Sequence, residues 1–373
     1  MAAAPVRVRP VTTRGDRRRF TEVARDIQPE GSVWVRPLDD VVLDYLHPRR
    51  NPFYRDGTGQ AFLASRGGRD VGRVLAHVWR RHARLHGERV GYFGFFACAD
   101  DLDAAGALLE AAVAFARENG CHRLRGPFDM TAAQEMGLVT SGFENPPAVD
   151  MVHTPPWYPR LFESIGFRVC LRMTTWRNPD AAALDADAMT AVKRGSADPR
   201  IDVRPIRSHR RDEDMEHVRE LINASFLGNW CFVPITREEW RLQVGTLVPL
   251  LDPELVLLAE VEGVPVGVTF AVPDFNHVIR RLDGGLIHPG ALGFLRRPPA
   301  SDAVVILFAV RKAYQGMGVS RMLNAALVRA LRRGGYRGLS ITWIATDNAA
   351  SLAQAKALGM RLLHELAMVE REI

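Results

Sequence analysis

A long internal repeat constrains this sequence more than any other feature. The strand-like run Val6–Val11 recurs as Ile201–Ile206, and each run is followed by a charged, helix-like stretch. The segment Gln60–Val78 recurs as Leu255–Pro273, and both consist of two alternating strands around a glycine-containing turn, which is typical of a hairpin. The chain is therefore predicted to fold as two copies of one architecture.

The repeat continues to the end of each half. A strand at Gly91–Cys98 corresponds to one at Ala303–Val310, and each precedes an amphipathic helix, Leu102–Asn119 or Val319–Arg333. Glycines follow both helices, where helix C-caps favour them. A further strand, a short helix and a closing strand come next in both halves. The predicted order is β-α-ββ-β-α-β-α-β, twice, which is an α/β (α+β) architecture.

A stretch without strand signals separates the two copies. Residues 178–200 are rich in alanine and aspartate, and we interpret them as a linker with a helix-compatible portion. The predicted domains are residues 1–177 and residues 201–373. Both lengths are ordinary for a domain, which typically has about 50 to 250 residues.

Composition argues against several classes of protein. No apolar run approaches the ~20 residues that span a bilayer, and the N-terminal segment has no secretory h-region, so we expect a cytoplasmic protein with no membrane contact. The four cysteines lack C-x-x-C spacing, which favours free thiols. The net charge of +6 comes almost wholly from scattered arginines, which favours a solvated surface over a nucleic-acid site.

The clearest chemistry lies between the second half's buried strand and its long helix. This segment reads Val-Arg-Lys-Ala-Tyr-Gln-Gly-Met-Gly-Val-Ser over residues 310–320. Gly316 and Gly318 let successive backbone N–H groups point into one concavity, and the following helix adds the positive end of its dipole. The pattern predicts a pyrophosphate site. An ordinary strand-to-helix turn is the alternative, and the repeated architecture around the loop favours the anion site.

These features together resemble the GNAT superfamily of acyltransferases. That superfamily has the signature Gln/Arg-x-x-Gly-x-Gly/Ala after its fourth strand, and Gln315, Gly318 and Ser320 fit it, with serine as a small substitute. Asn348 matches the superfamily's Asn at the start of the next helix, and the ending Leu-Gly-Met at 358–360 is similar to its Leu-Gly-Phe. Segments of both halves also resemble a family of bacterial tandem GNAT-like proteins with no assigned substrate.

The resemblance implies two tandem GNAT-type folds, each with a mixed, mostly antiparallel central sheet flanked by helices. It also implies acyl transfer from coenzyme A (acyl-CoA), or from the phosphopantetheine of an acyl carrier protein, to an amine or hydroxyl of a small-molecule acceptor. No metal is expected. The residues implied in donor binding are Ala309, Val310, Gln315, Gly316, Met317, Gly318, Val319, Ser320 and Asn348.

The first half departs from this signature. Its strand runs into Asp100, Asp101 and Asp103 without a Gln-x-x-Gly, and three carboxylates at a helix start would repel a phosphate. We therefore expect the first half not to bind coenzyme A. The superfamily's tyrosine acid is also missing, because Phe162 and Ala355 occupy its positions and neither can donate a proton.

The sequence does not identify the general base. A base must reach the acceptor nitrogen or oxygen, directly or through water. Candidates occur in two long loops, 127–156 and the insertion 273–300, which the first half lacks at that point. Singly each candidate is more typical of a turn or cap, but as a group they favour an acceptor cleft. The candidates for the base are Asp274, His277, Asp129, Glu135, Asp150 and His153. Tyr314, outside these loops, is a candidate for the missing acid, as is water, with packing under the glycine loop as the alternative for Tyr314.

Two other functions stay open at this point. Tandem GNAT folds resemble Fem-type peptidyltransferases, which take an aminoacyl group from tRNA, and binding that falls steeply with salt would favour that class. The missing tyrosine acid favours a non-catalytic acyl-CoA-binding protein or a GNAT-like fold with other chemistry. His82 and His86 are four residues apart, but they are predicted in a hairpin or loop connection and so do not indicate a metal site.

Overall fold

The computed structural model describes residues 4–131, 134–191, 200–245, 251–285 and 300–373. The first half contains β1 (Val6–Pro10), α1 (Arg14–Asp26), α2 (Asp39–Leu46), β2 (Gly57–Arg66), β3 (Arg69–Trp79), α3 (Arg80–His86), β4 (Val90–Cys98), α4 (Leu102–Glu118), β5 (Arg123–Gly126), β6 (Leu138–Ser141), α5 (Tyr158–Ser164) and β7 (Arg168–Asn178). After α6 (Ala186–Ala191), the second half contains β8 (Ile201–Pro205), α7 (Arg211–Phe226), α8 (Arg237–Gly245), β9 (Val256–Val261), β10 (Val264–Pro273), α9 (Asn276–Leu282), β11 (Asp302–Val310), α10 (Val319–Gly334), β12 (Gly338–Ala345), α11 (Ala349–Ala357) and β13 (Arg361–Glu372).

The strands of the described chain form one continuous sheet. Their order is β1-β2-β3-β4-β5-β13-β7-β12-β11-β10-β9-β8, and β6 pairs with β13. Neighbours run antiparallel except for β4–β5 and β11–β12, which are parallel. Helix α4 packs on β2 and β3, and α10 packs on β9 and β10. The predicted class, a mixed and mostly antiparallel sheet flanked by helices, is confirmed.

The last strand of each half lies in the sheet of the other half. Strand β13, from the end of the chain, lies between β5 and β7, whereas β7 lies between β13 and β12. Side chains pair across this exchange: Arg177 of β7 contacts Asp302 of β11 at 2.7 Å, and Arg371 of β13 contacts Glu110 of α4 at 2.6 Å. Neither half is therefore complete without a strand from the other.

The long helix of the second half forms where its apolar pattern predicted. Val319, Leu323, Leu327 and Leu331 recur every fourth residue, and all four are buried. The helix ends before Gly335, which adopts φ 74° and so forms a left-handed C-cap. This amphipathic face anchors the start of α10, and with it the preceding glycine loop, against the sheet.

The structure corrects two local predictions. His82 and His86 lie in helix α3, not in a loop, because the chain coils directly after β3 and the second half holds the helix through His86. Their rings stack with centroids 4.5 Å apart, and each has a protein partner: the His82 ring meets Tyr92 Oη, and His86 Nε2 donates to Phe232 O at 2.8 Å. Helix α3 follows β3 in the first half as α9 follows β10 in the second. The first half therefore does have a helical segment at the position of the insertion 273–300, and the two halves differ less there than predicted. Residues 286–299 of that insertion lie outside the described residues.

The predicted linker is partly helical. A 3-10 turn at Ala181–Ala183 and helix α6 fall within it, and residues 192–199 lie outside the described chain. The domain boundaries themselves stay a prediction. None of the described helices is both long enough and apolar enough to cross a bilayer.

Candidate active site

The glycine loop ahead of α10 leaves several backbone amides without a protein partner. Gly316 adopts φ 81° and Gly318 φ 90°, which glycine reaches at no steric cost. Gly318 is also the N-cap of α10, and no side chain caps the helix there. Within the described residues, no protein acceptor meets the N–H groups of Gly316, Gly318, Val319 and Ser320. Unpaired amides at a helix N-terminus suit an anion.

Two other residues predicted at the donor site hold turns. Gln315 Nε2 donates to Val310 O at 3.3 Å, which ties the glycine loop to the end of β11. Asn348 is the N-cap of α11, and its Oδ1 accepts the Ser351 N–H at 3.1 Å. The Asn348 side chain also faces the cavity described below. Both residues thus shape the site, whatever direct contacts they make with a ligand.

The parallel strands β11 and β12 separate beside this loop. Their pairing covers four residues and ends with Val305 opposite Ile341. Beyond that point β11 still pairs with β10 through Ala309 and Val310, but the described chain places no strand on its other edge. Phe308 lines the open fork. An extended ligand can therefore lie along the free edge of β11 and point towards the fork.

The corresponding strand end in the first half is occupied by protein side chains. The Cys98 N–H donates to Tyr158 Oη at 2.9 Å, and Trp157 Nε1 donates to Cys98 O at 3.0 Å. Aromatic rings from β4, α5 and the following turn pack against one another beside it: Phe93, Phe96, Tyr158, Phe162 and Phe167. No comparable free backbone edge is left at this position of the described chain.

The start of α4 is likewise closed by its own residues. Asp101 Oδ1 accepts the Ala104 N–H at 3.0 Å, as an N-cap does. Arg66 bridges Asp101 at 2.7 Å and Asp103 at 3.0 Å. The geometry agrees with the expectation that the first half binds no coenzyme A, which stays a prediction.

A cavity of about 1350 Å³ lies between the two halves. It begins at the fork of β11 and β12 and extends to helix α2 of the first half, with α7, α8 and the loop 127–155 forming its other walls. Most of its lining is apolar or aromatic. Representative lining residues are Trp34, Val42, Tyr45, Trp79, Phe95, Met151, Phe226, Phe232, Trp240, Phe270, Phe308, Trp343 and Leu366.

Three of the carboxylates that line this cavity are the predicted candidates Asp129, Glu135 and Asp150. Glu135 and Asp150 keep solvent-accessible surface, and both line the cavity. Burial raises the pKa of Asp129 to about 6 and that of Asp150 to about 7. Burial, with added repulsion from the other two carboxylates, raises the pKa of Glu135 to about 8. Within the described chain none of the three forms an ion pair.

His153 lies on the same loop as Asp150. Its Nε2 donates to Phe143 O at 2.9 Å, since a carbonyl can only accept, and Nδ1 therefore carries the lone pair. Burial lowers the pKa of His153, so the ring is neutral near pH 7. Its Nδ1 has no described partner. His153 borders the cavity, and its ring lies against His364 at 6.3 Å between centroids.

The remaining catalytic candidates lie away from the cavity. Asp274 Oδ1 accepts the Val149 N–H and the Asn276 N–H, both at 3.1 Å, so this carboxylate fastens the Asp150 loop to the second half. His277 is exposed on α9. Tyr314 packs under the glycine loop against the core, and its carbonyl accepts the Met317 N–H at 3.4 Å. The structure therefore gathers Asp129, Glu135, Asp150 and His153 at the cavity and separates the other three from it.

Sequence reasoning missed two cavity residues. Tyr45 of α2 lies near all three carboxylates, and burial raises its pKa to about 12. Arg73 of β3 is buried beside Asp129, and burial lowers its pKa to about 10; its Nη1 donates to Phe20 O at 2.6 Å. The signal available was an arginine at an inward position of an otherwise apolar strand. Among the described residues no cluster of His, Cys, Asp and Glu could hold a metal ion.

The chain is similar to known proteins over nearly its whole length. Residues 215–360 match the Acetyltransferase (GNAT) family. The chain is 30% identical to a bacterial ceramide synthase of Caulobacter vibrioides (strain NA1000 / CB15N), with 95% of this chain and 94% of that protein covered. It is 28% identical to the protein YghO of Escherichia coli (strain K12), with 98% and 95% covered. A tandem GNAT protein from the clavulanic acid biosynthesis pathway has a similar fold, with a TM-score of 0.57, 15% identity and 99% and 98% coverage.

Proposed function

The chain belongs to the tandem GNAT family of acyltransferases, and we propose that it joins a long acyl chain to the amine of a long-chain amino alcohol. The donor in this proposal is the coenzyme A thioester of a fatty acid. The product is a ceramide-like amide, which is the product class that the name of the Caulobacter relative implies. The observation that carries the proposal is the large, mostly apolar cavity that opens at the fork of β11 and β12.

The donor's polar part fits the second half. The free N–H groups of Gly316, Gly318, Val319 and Ser320 are proposed to bind the pyrophosphate, with the dipole of α10 behind them. The pantetheine arm would lie along the free edge of β11 at Ala309 and Val310. In this proposed arrangement the thioester would lie at the fork, beside Phe308.

The volume of the cavity supports long substrates. Pockets for small molecules usually measure about 300 to 1,000 Å³, and this cavity has about 1350 Å³. Its lining is mostly apolar, so each methylene of a bound chain adds about 0.8 kcal/mol of favourable burial. A small polar acceptor would leave most of that surface unused. Two hydrocarbon chains would use it.

The reaction requires a neutral amine next to the thioester carbonyl carbon. The amine nitrogen forms the new C–N bond, the C–S bond breaks, and the thiolate of coenzyme A leaves. One proton must leave the nitrogen, and the thiolate takes up one proton to become a thiol. Positioning the two substrates contributes most of the acceleration, because the step becomes effectively unimolecular.

Asp150 is the proposed general base. Its pKa of about 7 matches a base that works near neutral pH. The loop that carries Asp150 belongs to the first half but packs against the second, since Ala148 and Met151 lie in the same core cluster as Ala309 of β11. Asp129, whose pKa of about 6 leaves it mostly ionised near pH 7, is proposed to attract the acceptor's ammonium group into the cavity before it loses its proton.

A direct assay tests this function. Purified chain is incubated with acyl-CoA donors from acetyl to long-chain saturated, together with a long-chain amino alcohol, and amide formation is followed by mass spectrometry. Thiol release is measured in parallel. We expect turnover with long-chain donors at least tenfold above that with acetyl-CoA. An acyl carrier protein as donor is the second arm, which separates the two thioester sources.

The matched variants are Asp150→Asn and Asp274→Asn. Asp150→Asn should lower kcat by about 10² or more, the usual contribution of a general base. Asp274→Asn keeps an acceptor for the Val149 and Asn276 amides, so it should retain most of the activity. The proposal fails if no long-chain amide forms with either donor, or if Asp150→Asn turns over like the unmodified chain.

A further inference from the structure

One wall of the cavity is a loop that also reaches the outer surface. The loop runs from Phe226 to Val233, and both of these residues line the cavity. Between them Leu227 is 59% exposed, and it does not line the cavity. Trp230 lines the cavity and is also 38% exposed. We name the segment 226–233 the cavity lip.

Helix α3 of the first half lies against the cavity lip. His86 Nε2 donates to Phe232 O at 2.8 Å, and Arg81 donates to Pro234 O just beyond the lip. Leu85 follows the same face of the helix, since it lies four residues after Arg81, and it is 46% exposed. Exposed leucines from both halves thus flank one edge of the cavity.

Basic side chains flank helix α3, which carries Leu85. Arg80 and Arg89 are exposed at the two ends of the α3 segment, and neither has an ion pair in the described chain. The nearby charges are balanced: Arg84 contacts Asp56 at 2.9 Å, and Glu88 contacts Arg125 at 3.3 Å. The local excess is therefore positive, as is the net charge of +6 for the whole chain.

The aromatic residue of the cavity lip, Trp230, is also typical of a surface that contacts lipid. The Arg125 guanidinium lies 4.8 Å from the centroid of the Trp230 ring, which holds the indole at the lip. Tryptophan is favoured at the boundary between lipid and water, because its ring is apolar and its N–H is polar. Exposed leucines, a tryptophan and unpaired arginines form the usual combination at a protein surface that rests on anionic lipid.

We propose that Leu227, Trp230 and Leu85, with Arg80 and Arg89, form a docking surface for an anionic lipid bilayer, through which a lipid substrate reaches the cavity. This inference differs from the sequence-based expectation of no membrane contact. It concerns a surface association, with no segment crossing the bilayer. Its purpose rests on the proposed function, because only a long-chain substrate needs such an entrance.

Vesicle flotation of the full chain tests the surface without any turnover. Vesicles of phosphatidylglycerol and vesicles of phosphatidylcholine are compared at low and high salt. We expect at least fivefold more protein on the anionic vesicles, with a clear loss of binding at high salt. The variant Leu85→Asp/Leu227→Asp should lower the bound fraction at least fivefold. The matched control is Val264→Asp on the β9–β10 turn, because Val264 is 52% exposed. This variant should bind the vesicles normally.

Activity separates this inference from the proposed function. With a short-chain, soluble amine the Leu85→Asp/Leu227→Asp variant should keep the activity of the unmodified chain, because neither leucine lines the cavity. With the long-chain amine embedded in anionic vesicles its rate should fall at least fivefold. The docking surface is refuted if the unmodified chain does not float with anionic vesicles, or if Val264→Asp lowers binding as much as the double variant. If the unmodified chain shows no turnover at all, the proposed function is wrong, and the vesicle result still decides the docking surface.

Discussion

Glu135 makes the stability of the fold depend on pH in an unusual direction. A glutamate in an unfolded chain has a pKa of about 4.3, and burial with repulsion from Asp129 and Asp150 raises the folded pKa to about 8. Between these values the folded state binds a proton that the unfolded state lacks. The free energy of unfolding therefore falls as pH rises through this window, and it levels off above the folded pKa. Asp129 and Asp150 act in the same direction over narrower windows.

The substitution Glu135→Gln isolates this effect. Glutamine resembles the protonated glutamate, so at pH 5 the variant should melt close to the unmodified chain. At pH 8 it should melt higher by at least about 2 °C, which corresponds to about 1 kcal/mol in a chain of this size. Thermal melts across this pH range measure the difference. Glu30→Gln, at an exposed site, is the control and should give a difference that does not grow with pH. A constant difference for Glu135→Gln would contradict the assigned pKa.

Gly318 is the residue whose backbone the proposed donor site depends on most. An alanine there must adopt φ 90°, which costs about 1 to 2 kcal/mol, and relaxation of this strain would turn the amides of Gly318 and Val319 away from one another. Gly318→Ala should therefore raise the Kd for coenzyme A about tenfold or more, as measured by calorimetry. Gly31→Ala carries the same type of strain at φ 74°, on an open surface turn. It should lose similar stability and bind coenzyme A normally, and equal loss of binding in both variants would argue against an anion site at Gly318.

At the scale of elements, the sequence repeat predicted the features that depend only on local sequence. The two hairpins, the strand before each long helix and the glycine caps follow from alternation, amphipathic spacing and turn chemistry, and all are present. Helix α3 was missed because its seven residues are too few for a periodic signal, and contacts with Phe232 and Pro234 of the other half hold it. Local sequence does not encode such distant partners.

In the candidate site, too, one part could be predicted from local sequence and another part could not. The glycine loop could be found from sequence, because Gly316 and Gly318 act through their own backbone. The gathering of Asp129, Glu135 and Asp150 could be predicted only as a group of loop residues. Their environment depends on how two halves meet, and no local pattern separates them from Asp274, which fastens a loop instead.

A substitution at Tyr158 tests whether the first half's own side chains prevent coenzyme A from binding at the end of β4. Its hydroxyl accepts the buried Cys98 N–H at 2.9 Å, so Tyr158→Phe leaves that amide unpaired. The free energy of unfolding should fall by about 1 to 3 kcal/mol in urea titrations. Coenzyme A should still bind at one site per chain, because α4 keeps its acidic start. Tyr54→Phe, which removes a hydroxyl without a described hydrogen-bond partner, should change stability little. A second coenzyme A site in Tyr158→Phe would contradict the assignment of donor binding to the second half alone.

At the scale of the whole molecule, the exchange of β7 and β13 places both parts of the candidate site under one constraint. The glycine loop belongs to the second half, and the three carboxylates Asp129, Glu135 and Asp150 belong to the first. The cavity between them keeps its shape because β13 and β7 run through the junction, where Arg125 of β5 contacts Glu370 of β13 at 2.9 Å. A duplicated fold with separate sheets would allow the two halves to rotate against each other. The continuous sheet opposes that motion.

This constraint predicts that the chain unfolds as a single unit. Leu366 lies in β13 and is nearly fully buried, yet it packs with Phe128 and Val139 of the first half. Leu366→Ala should therefore destabilise both halves together, by about 2 to 5 kcal/mol. In urea, far-ultraviolet circular dichroism and tryptophan fluorescence should report one coincident transition in the unmodified chain and one transition at lower urea in the variant. Leu362→Ala, at an exposed position of the same strand, is the control and should cost well under 1 kcal/mol. If the halves were coupled only by the linker, Leu366→Ala would instead split the transition into two steps, because one half would melt before the other.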